Sequence, residues 1–184
     1  MTLDEKISMT RGYSRFFFNG IERLGIPLHL PFGRFAGREH APQPARPHDG
    51  SAARKVHRLP VPDHAAATFN PALAYDYARS IGEECRAGGV EVLLGPGLNI
   101  YRNSQCGRNF EYFSEDPLLT GKMACAQLRG MHRWGVTGTI KHFATNNQEH
   151  RRHFVESVVS ERALREIYLR GFEIAVKEGM PAPL

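Results

Sequence analysis

Val90-Glu91-Val92-Leu93-Leu94 is followed by Gly95-Pro96-Gly97-Leu98-Asn99-Ile100-Tyr101-Arg102-Asn103-Ser104-Gln105-Cys106-Gly107-Arg108-Asn109-Phe110-Glu111-Tyr112-Phe113-Ser114-Glu115 and then by Asp116-Pro117. The first five residues are a short apolar run bounded by glycine, the pattern of a buried strand. Asp116-Pro117 reads as a helix start. An Asp side chain accepts from the free N–H groups of the first turn, and the fixed φ of proline suits the first helical position. The helix it opens carries Met123, Leu128 and Met131 and stops at Gly135. A strand, a long polar loop and a helix in this order make one βα unit.

The same grammar repeats on both sides. Asn70-Pro71 opens an earlier helix that Gly88-Gly89 ends, with Ala74, Ala78, Ile81 and Cys85 on one face at steps of three and four. Val136-Thr137-Gly138-Thr139-Ile140 reads as a second buried strand. Ser160 caps a third helix, with Leu164, Ile167, Tyr168, Phe172 and Ala175 as its apolar face and Gly179 after it. Gly25-Ile26-Pro27-Leu28-His29-Leu30 supplies one more candidate strand. Strands that alternate with helices imply an α/β fold with a parallel sheet. These units are too few for a closed eight-stranded barrel, which takes roughly 250 residues.

Composition narrows the function classes. The 184 residues are 41% hydrophobic, enough for a core, and no apolar run reaches the ~18 residues of a membrane helix. The first six residues, Met1-Thr2-Leu3-Asp4-Glu5-Lys6, hold acids and no apolar stretch. No signal peptide is expected there, and a cytoplasmic location follows. Three cysteines without ligand spacing argue against a disulfide framework or a zinc site. His150 and His153 are three apart, but Arg151 and Arg152 separate them and no third ligand is in register, so no metal is expected. No cofactor is expected either, because neither a Gly-rich phosphate loop nor a nucleophile elbow is present. The net charge of +5 lacks the aromatic interleaving of a nucleic-acid face, so neither nucleic acid nor membrane is an expected partner.

Two loops hold the candidate chemistry. Gly95–Asp116 follows a strand and precedes a helix, the side of a βα fold where active sites form. Its cations, carboxylates, amides and rings suit a polar ligand with many hydroxyls. Arg108 either contacts such a ligand or pairs with Glu111 or Asp116 to pin the loop. Lys141-His142 ends the next strand, where two cations are costly unless paired. They meet either a carboxylate or ligand hydroxyls. Asn146, Asn147, Gln148 and Glu149 add amides and a carboxylate to the same rim.

At these loops the sequence resembles the amino-terminal domain of family 3 glycoside hydrolases of the β-glucosidase type. The matching text is Leu93-Leu94-Gly95-Pro96-Gly97-Leu98-Asn99, then Gly107-Arg108-Asn109-Phe110-Glu111-Tyr112-Phe113-Ser114-Glu115-Asp116-Pro117, then Lys141-His142-Phe143, then Ser160-Glu161-Arg162-Ala163-Leu164-Arg165-Glu166. The resemblance runs from Ala66 to about Lys177, and again from Leu3 to Pro27. It implies a partial (β/α)8 TIM-like barrel made of the first few βα units, so that residues 1–184 form an incomplete amino-terminal domain. It also implies hydrolysis of terminal β-linked sugars with retention, through a carboxylate nucleophile and a carboxylic acid. Arg108, Lys141 and His142 match family residues that hold the hydroxyls of the first-subsite sugar, which favours the ligand-binding alternative for both loops. The expected partner is a β-glucoside or oligosaccharide.

Departures from the family pattern bear on activity. The family nucleophile, an Asp in a Ser-Asp-Trp context, has no counterpart here, because the sole tryptophan, Trp134, follows Arg133. The family acid/base Glu belongs to a second domain. No catalytic residue is therefore expected in this chain, and the expected behaviour is that of an inactive fragment. The alternative is a non-catalytic carbohydrate-binding or interaction module. Glucosides and xylosides are not distinguished by these motifs.

Residues 31–64 break the grammar. They hold half of the 12 prolines and +3 of the net charge, with no regular periodicity. The family's Ser-Asp-Gly loop is replaced by Pro31-Phe32-Gly33-Arg34. Read one nucleotide later, the codons of Pro31 to Ala41 permit Ser-Asp-Gly-Ser-Gln-Gly-Val-Asn, and those of Lys55 to His64 again permit family-like text. The segment is therefore expected to be an aberrant, out-of-frame and disordered translation between two compensating indels. A divergent lineage insertion is the rival explanation.

Overall fold

The computed structural model describes residues 1–11, 19–26, 32–33, 59 and 61–179. Helix α1 (Leu3–Arg11) opens on a reciprocal cap, in which Glu5 N donates to Thr2 Oγ1 at 3.2 Å and Thr2 N to Glu5 Oε2 at 2.6 Å. Glu5 also takes the Arg23 guanidinium, which ties the turn at Ile21–Ile26 to α1. Strand β1 (Phe32–Gly33) comes next, followed by helices α2 (Pro62–Ala66) and α3 (Pro71–Ala87). Strand β2 (Val92–Leu93), helix α4 (Pro117–His132) and strand β3 (Thr137–Gly138) continue the alternation. The last helical stretch runs from α5 (Glu161–Ala163) through a π turn at Leu164–Tyr168 into α6 (Arg170–Ile174) and ends in a second π turn at Ala175–Gly179.

The strands form one parallel sheet in the order β1-β2-β3, with Phe32 opposite Val92 and Leu93 opposite Gly138. Sequential parallel order with helical crossovers is the arrangement of a TIM-like barrel's opening units, so the expected α/β class holds. All three read helix starts are realised. Asn70 accepts from Ala72 N and Leu73 N, Asp116 from Leu118 N and Leu119 N, and Ser160 from Ala163 N.

Helix α4 lies between α3 and α6 and also touches β3. Ten of its 16 residues are buried, from Thr120 to Met131, because it has neighbours on nearly every side. Gly130 permits the closest approach: a Cβ there would overlap the Tyr75 carbonyl oxygen and stand 2.9 Å from Arg79 N. The core joins Ala74, Ala78, Ile81 and Cys85 of α3 to Met123, Leu128 and Met131 of α4, with Leu93, Leu98, Val136 and Phe172.

Three expectations are revised. Gly25 takes φ +66°, and Ile26 pairs back on Ile21, so the run read as strand Gly25–Leu30 begins as a turn; residues 27–30 lie outside the described residues. The first sheet strand instead falls at Phe32–Gly33, inside the segment read as irregular, because a two-residue parallel bridge uses only backbone groups and needs no side-chain pattern. Pro62–His64 of that segment begin α2, and its residues 34–58 and 60 lie outside the described residues. Ile167, read as part of a buried face, is 39% exposed. It sits in the first π turn, where an i→i+5 bond adds a residue per turn and rotates the face out of the 3.6 register.

Candidate functional site

Both read loops leave the carboxyl ends of their strands and lie side by side. After β2 the chain turns at Gly95-Pro96-Gly97, and Lys141 bridges Gly97 in parallel, with Lys141 N donating to Pro96 O at 3.1 Å. Gly97 packs against Tyr112, whose ring would collide with any Cβ at that position. The second loop is sewn to the first by amides. Asn99 Nδ2 donates to His142 O at 3.0 Å, His142 N donates to Asn99 Oδ1 at 2.7 Å, and Asn147 Nδ2 donates to Ile100 O at 2.7 Å.

The three read binding residues are brought together. Arg108 Nε lies 2.5 Å from Glu111 Oε1, and Lys141 Nζ lies 2.7 Å from Glu111 Oε2, so one carboxylate holds both cations. Their side chains are only 17%, 11% and 13% exposed for Arg108, Glu111 and Lys141, which sets this cluster apart from a solvent-screened surface pair. Of the two carboxylates weighed for Arg108, Glu111 is the partner, while Asp116 caps α4. His142 stands beside them, its Nδ1 2.9 Å from the Tyr112 hydroxyl. Asn146 Nδ2 reaches both the Tyr112 oxygen (3.1 Å) and Glu149 Oε1 (2.8 Å), and Arg152 Nη1 pairs with Glu149 Oε2 at 2.8 Å.

A cavity of about 430 Å³ opens on this cluster. Arg108, His142, Asn146, Gln148 and Arg152 give it polar walls, with Phe143 and Val155 as apolar ones. Its size and its convergent polar groups suit a small polar ligand. Burial raises the Glu111 carboxyl, but the Lys141 and Arg108 contacts outweigh burial and hold it below the ordinary range. Burial, reinforced by Arg108 and Lys141, pushes His142 down to about 4, so it is neutral at pH 7. Burial pushes Tyr112 up to about 12. His150 and His153 are both exposed, and among the described residues no group of three His, Cys, Asp or Glu is placed to hold a metal ion. Among the described residues no helix is long and apolar enough to cross a membrane.

Four site residues escaped the sequence reading in their actual roles. Asn99 reaches a backbone 43 residues away, and Glu111 serves a second cation 30 residues away. Tyr112 and Asn146 connect His142 to Glu149. The available signal was the crowding of amides and aromatic residues around Arg108 and His142, which marks a polar rim without giving its partners.

The polar cavity lies at the carboxyl ends of parallel βα units, the end at which barrel enzymes of this architecture build their sites. The model of the glycosyl hydrolase family 3 N-terminal domain matches residues 49–182, and the chain belongs to that family. A beta-glucosidase of Ruminococcus albus is 60% identical over 124 residues, covering 67% of this chain and 13% of that protein. Thermostable beta-glucosidase B of Acetivibrio thermocellus is 41% identical over 98% of this chain and 24% of its own length. The structure of beta-glucosidase 3B from Thermotoga neapolitana in complex with glucose superposes with a TM-score of 0.82 at 41% identity, over 98% of this chain and 27% of that one. This chain thus spans roughly a quarter of these relatives or less.

Proposed function

We propose that this chain carries the first-subsite sugar contacts of a retaining β-glucosidase-like hydrolase acting on terminal β-linked sugars, with Arg108, Lys141 and His142 as the residues that hold sugar hydroxyls. One observation carries the reading. A single buried carboxylate, Glu111, fixes two cations, Arg108 in the wall of a polar cavity and Lys141 next to His142 in the chain, beside a neutral imidazole that also lines the cavity. Donors held in this way meet hydroxyl oxygens without reorganising, which is what positioning a sugar for distortion towards an oxocarbenium-like transition state requires. The reaction also needs a nucleophilic carboxylate and a proton-donating one. On this reading neither lies among these 184 residues, and the chain alone releases no nitrophenol from an aryl β-glucoside. Turnover by the purified chain would overturn that part.

A second reading, a non-catalytic carbohydrate-binding module, is favoured by the fact that Glu111 is engaged by Arg108 and Lys141. Calorimetric titration with glucose separates a binding module from an inert chain. Weak binding that is lost in Lys141→Ala supports the sugar-contact assignment, and binding that survives that change removes it. For residues 31–64 the out-of-frame origin stands as a further proposal. Sequencing the coding DNA tests it, and stop codons or unrelated text in the shifted frame would refute it.

A further inference from the structure

We infer that Glu149, Asn146 and Tyr112 form a directional hydrogen-bond chain that locks His142 in the Nε2–H tautomer, so that its free edge offers the cavity a donor and never an acceptor. The inference deepens the sugar-contact reading above and rests on it only for the identity of the ligand. The direction is set from the carboxylate end. Glu149 Oε1, as a carboxylate, can only accept, so the Asn146 group 2.8 Å away must be its NH2, which fixes the amide orientation. The same NH2 lies 3.1 Å from the Tyr112 oxygen, and an amide nitrogen cannot accept a proton. Tyr112 is fully buried, and its hydroxyl has one other partner among the described residues, His142 Nδ1 at 2.9 Å.

The hydroxyl proton therefore goes to Nδ1. The reverse arrangement, with Nδ1–H donating to the oxygen, would leave a buried O–H with no acceptor. With Nδ1 accepting, the single proton of the neutral ring resides on Nε2, which has no hydrogen-bond partner among the described residues, on a side chain that lines the cavity. Burial and the nearby Arg108 and Lys141 charges keep the ring neutral, so one tautomer is the state to be fixed. Arg152 holds Glu149 at the far end, 2.8 Å from Oε2. A ligand atom that meets His142 must accept a hydrogen bond, as a hydroxyl oxygen does and an ammonium group does not.

The test is 15N NMR of the histidine rings in the full, ligand-free chain at pH 7, with the His142 signals assigned by their loss in His142→Gln. The expected result is an unprotonated-type shift at Nδ1 and a protonated-type shift at Nε2. Asn146→Asp places an acceptor against the Tyr112 oxygen, and the His142 pattern is expected to invert to Nδ1–H. Tyr112→Phe removes the donor and is expected to average the two nitrogen shifts towards a mixture. A wild-type Nδ1–H pattern overturns the inference, as does a fixed Nε2–H that neither variant moves. Should Tyr112→Phe fail to fold, the inversion in Asn146→Asp still decides. Because no sugar is present, a failure of glucose binding leaves this outcome untouched and counts only against the functional reading.

Discussion

The α3–α4–α6 layer and the rim above β2 and β3 are neighbours built on opposite principles. In the helical layer, contact is apolar and close, with Ala74, Ala78, Met123, Met131 and Ala175 almost wholly hidden from solvent. At the rim, neighbouring segments are joined by directed polar bonds: Glu111 to two cations, Asn99 to a distant backbone, Asn146 to a ring and a carboxylate. Packing of the first kind is undirected and tolerates exchange of similar volumes. Bonds of the second kind fix atoms in place, and loss of one member strands its partners. The helical layer holds together by undirected contact and the rim by bonds between particular atoms.

The largest expected effect lies in the helical layer. Gly130→Val drives a side chain into the Tyr75 carbonyl and is expected to cost about 3 kcal/mol or more, read as a lowered urea midpoint with any loss of sugar binding following only from unfolding. Glu111→Gln comes next. It removes the carboxylate that two largely buried cations share, leaving Arg108 with Glu149 at 3.9 Å, at a cost of about 3 kcal/mol or somewhat less, and on the sugar-contact proposal it weakens glucose binding even in the fraction that stays folded. A variant that loses stability and keeps its affinity would erase the distinction between the regions.

The third effect depends on pH. The native pKa of His142 is about 4 against an ordinary 6.5, so the unfolded chain binds more protons between those values and stability falls as pH drops from 6.5 towards 4. Glu111 and Glu149, both held low, add their loss at still more acid pH, below their ordinary 4.5. Urea midpoints of His142→Gln should therefore stay flat from pH 6.5 to about 4.5, where those of the parent chain decline. The smallest effect is on the surface. Arg165→Ala breaks an exposed pair with Glu161 and is expected to change stability by no more than about 0.5 kcal/mol.

The same contrast explains what the sequence disclosed. Helix ends were legible because a cap is a local device: Asn70, Asp116 and Ser160 bond groups two or three residues away. The buried face of α3 was legible because it repeats every 3.6 residues. Ile167 was misread because a π turn leaves no mark in the pattern of apolar spacing. The residues Arg108, Lys141 and His142 could be picked out, but not that one carboxylate would serve the first two or that a tyrosine would serve the third. The Glu111–Lys141 and Tyr112–His142 partnerships join positions 30 residues apart, across a fold the local text does not encode. Glu111 and Asp116 were both candidates for Arg108; the structure gives Glu111 to Arg108 and uses Asp116 as the cap of α4.

The two bonds between Asn99 and the His142 backbone work as a mechanical rivet. One side chain spans both hydrogen-bonding groups that flank the His142 residue, so the loop after β3 cannot lift without pulling the loop after β2, and the two rise or settle as one piece. Slow, matched amide exchange at Leu98 and His142, whose N–H groups bond Lys141 O and Asn99 Oδ1, would be the sign of that mechanical coupling.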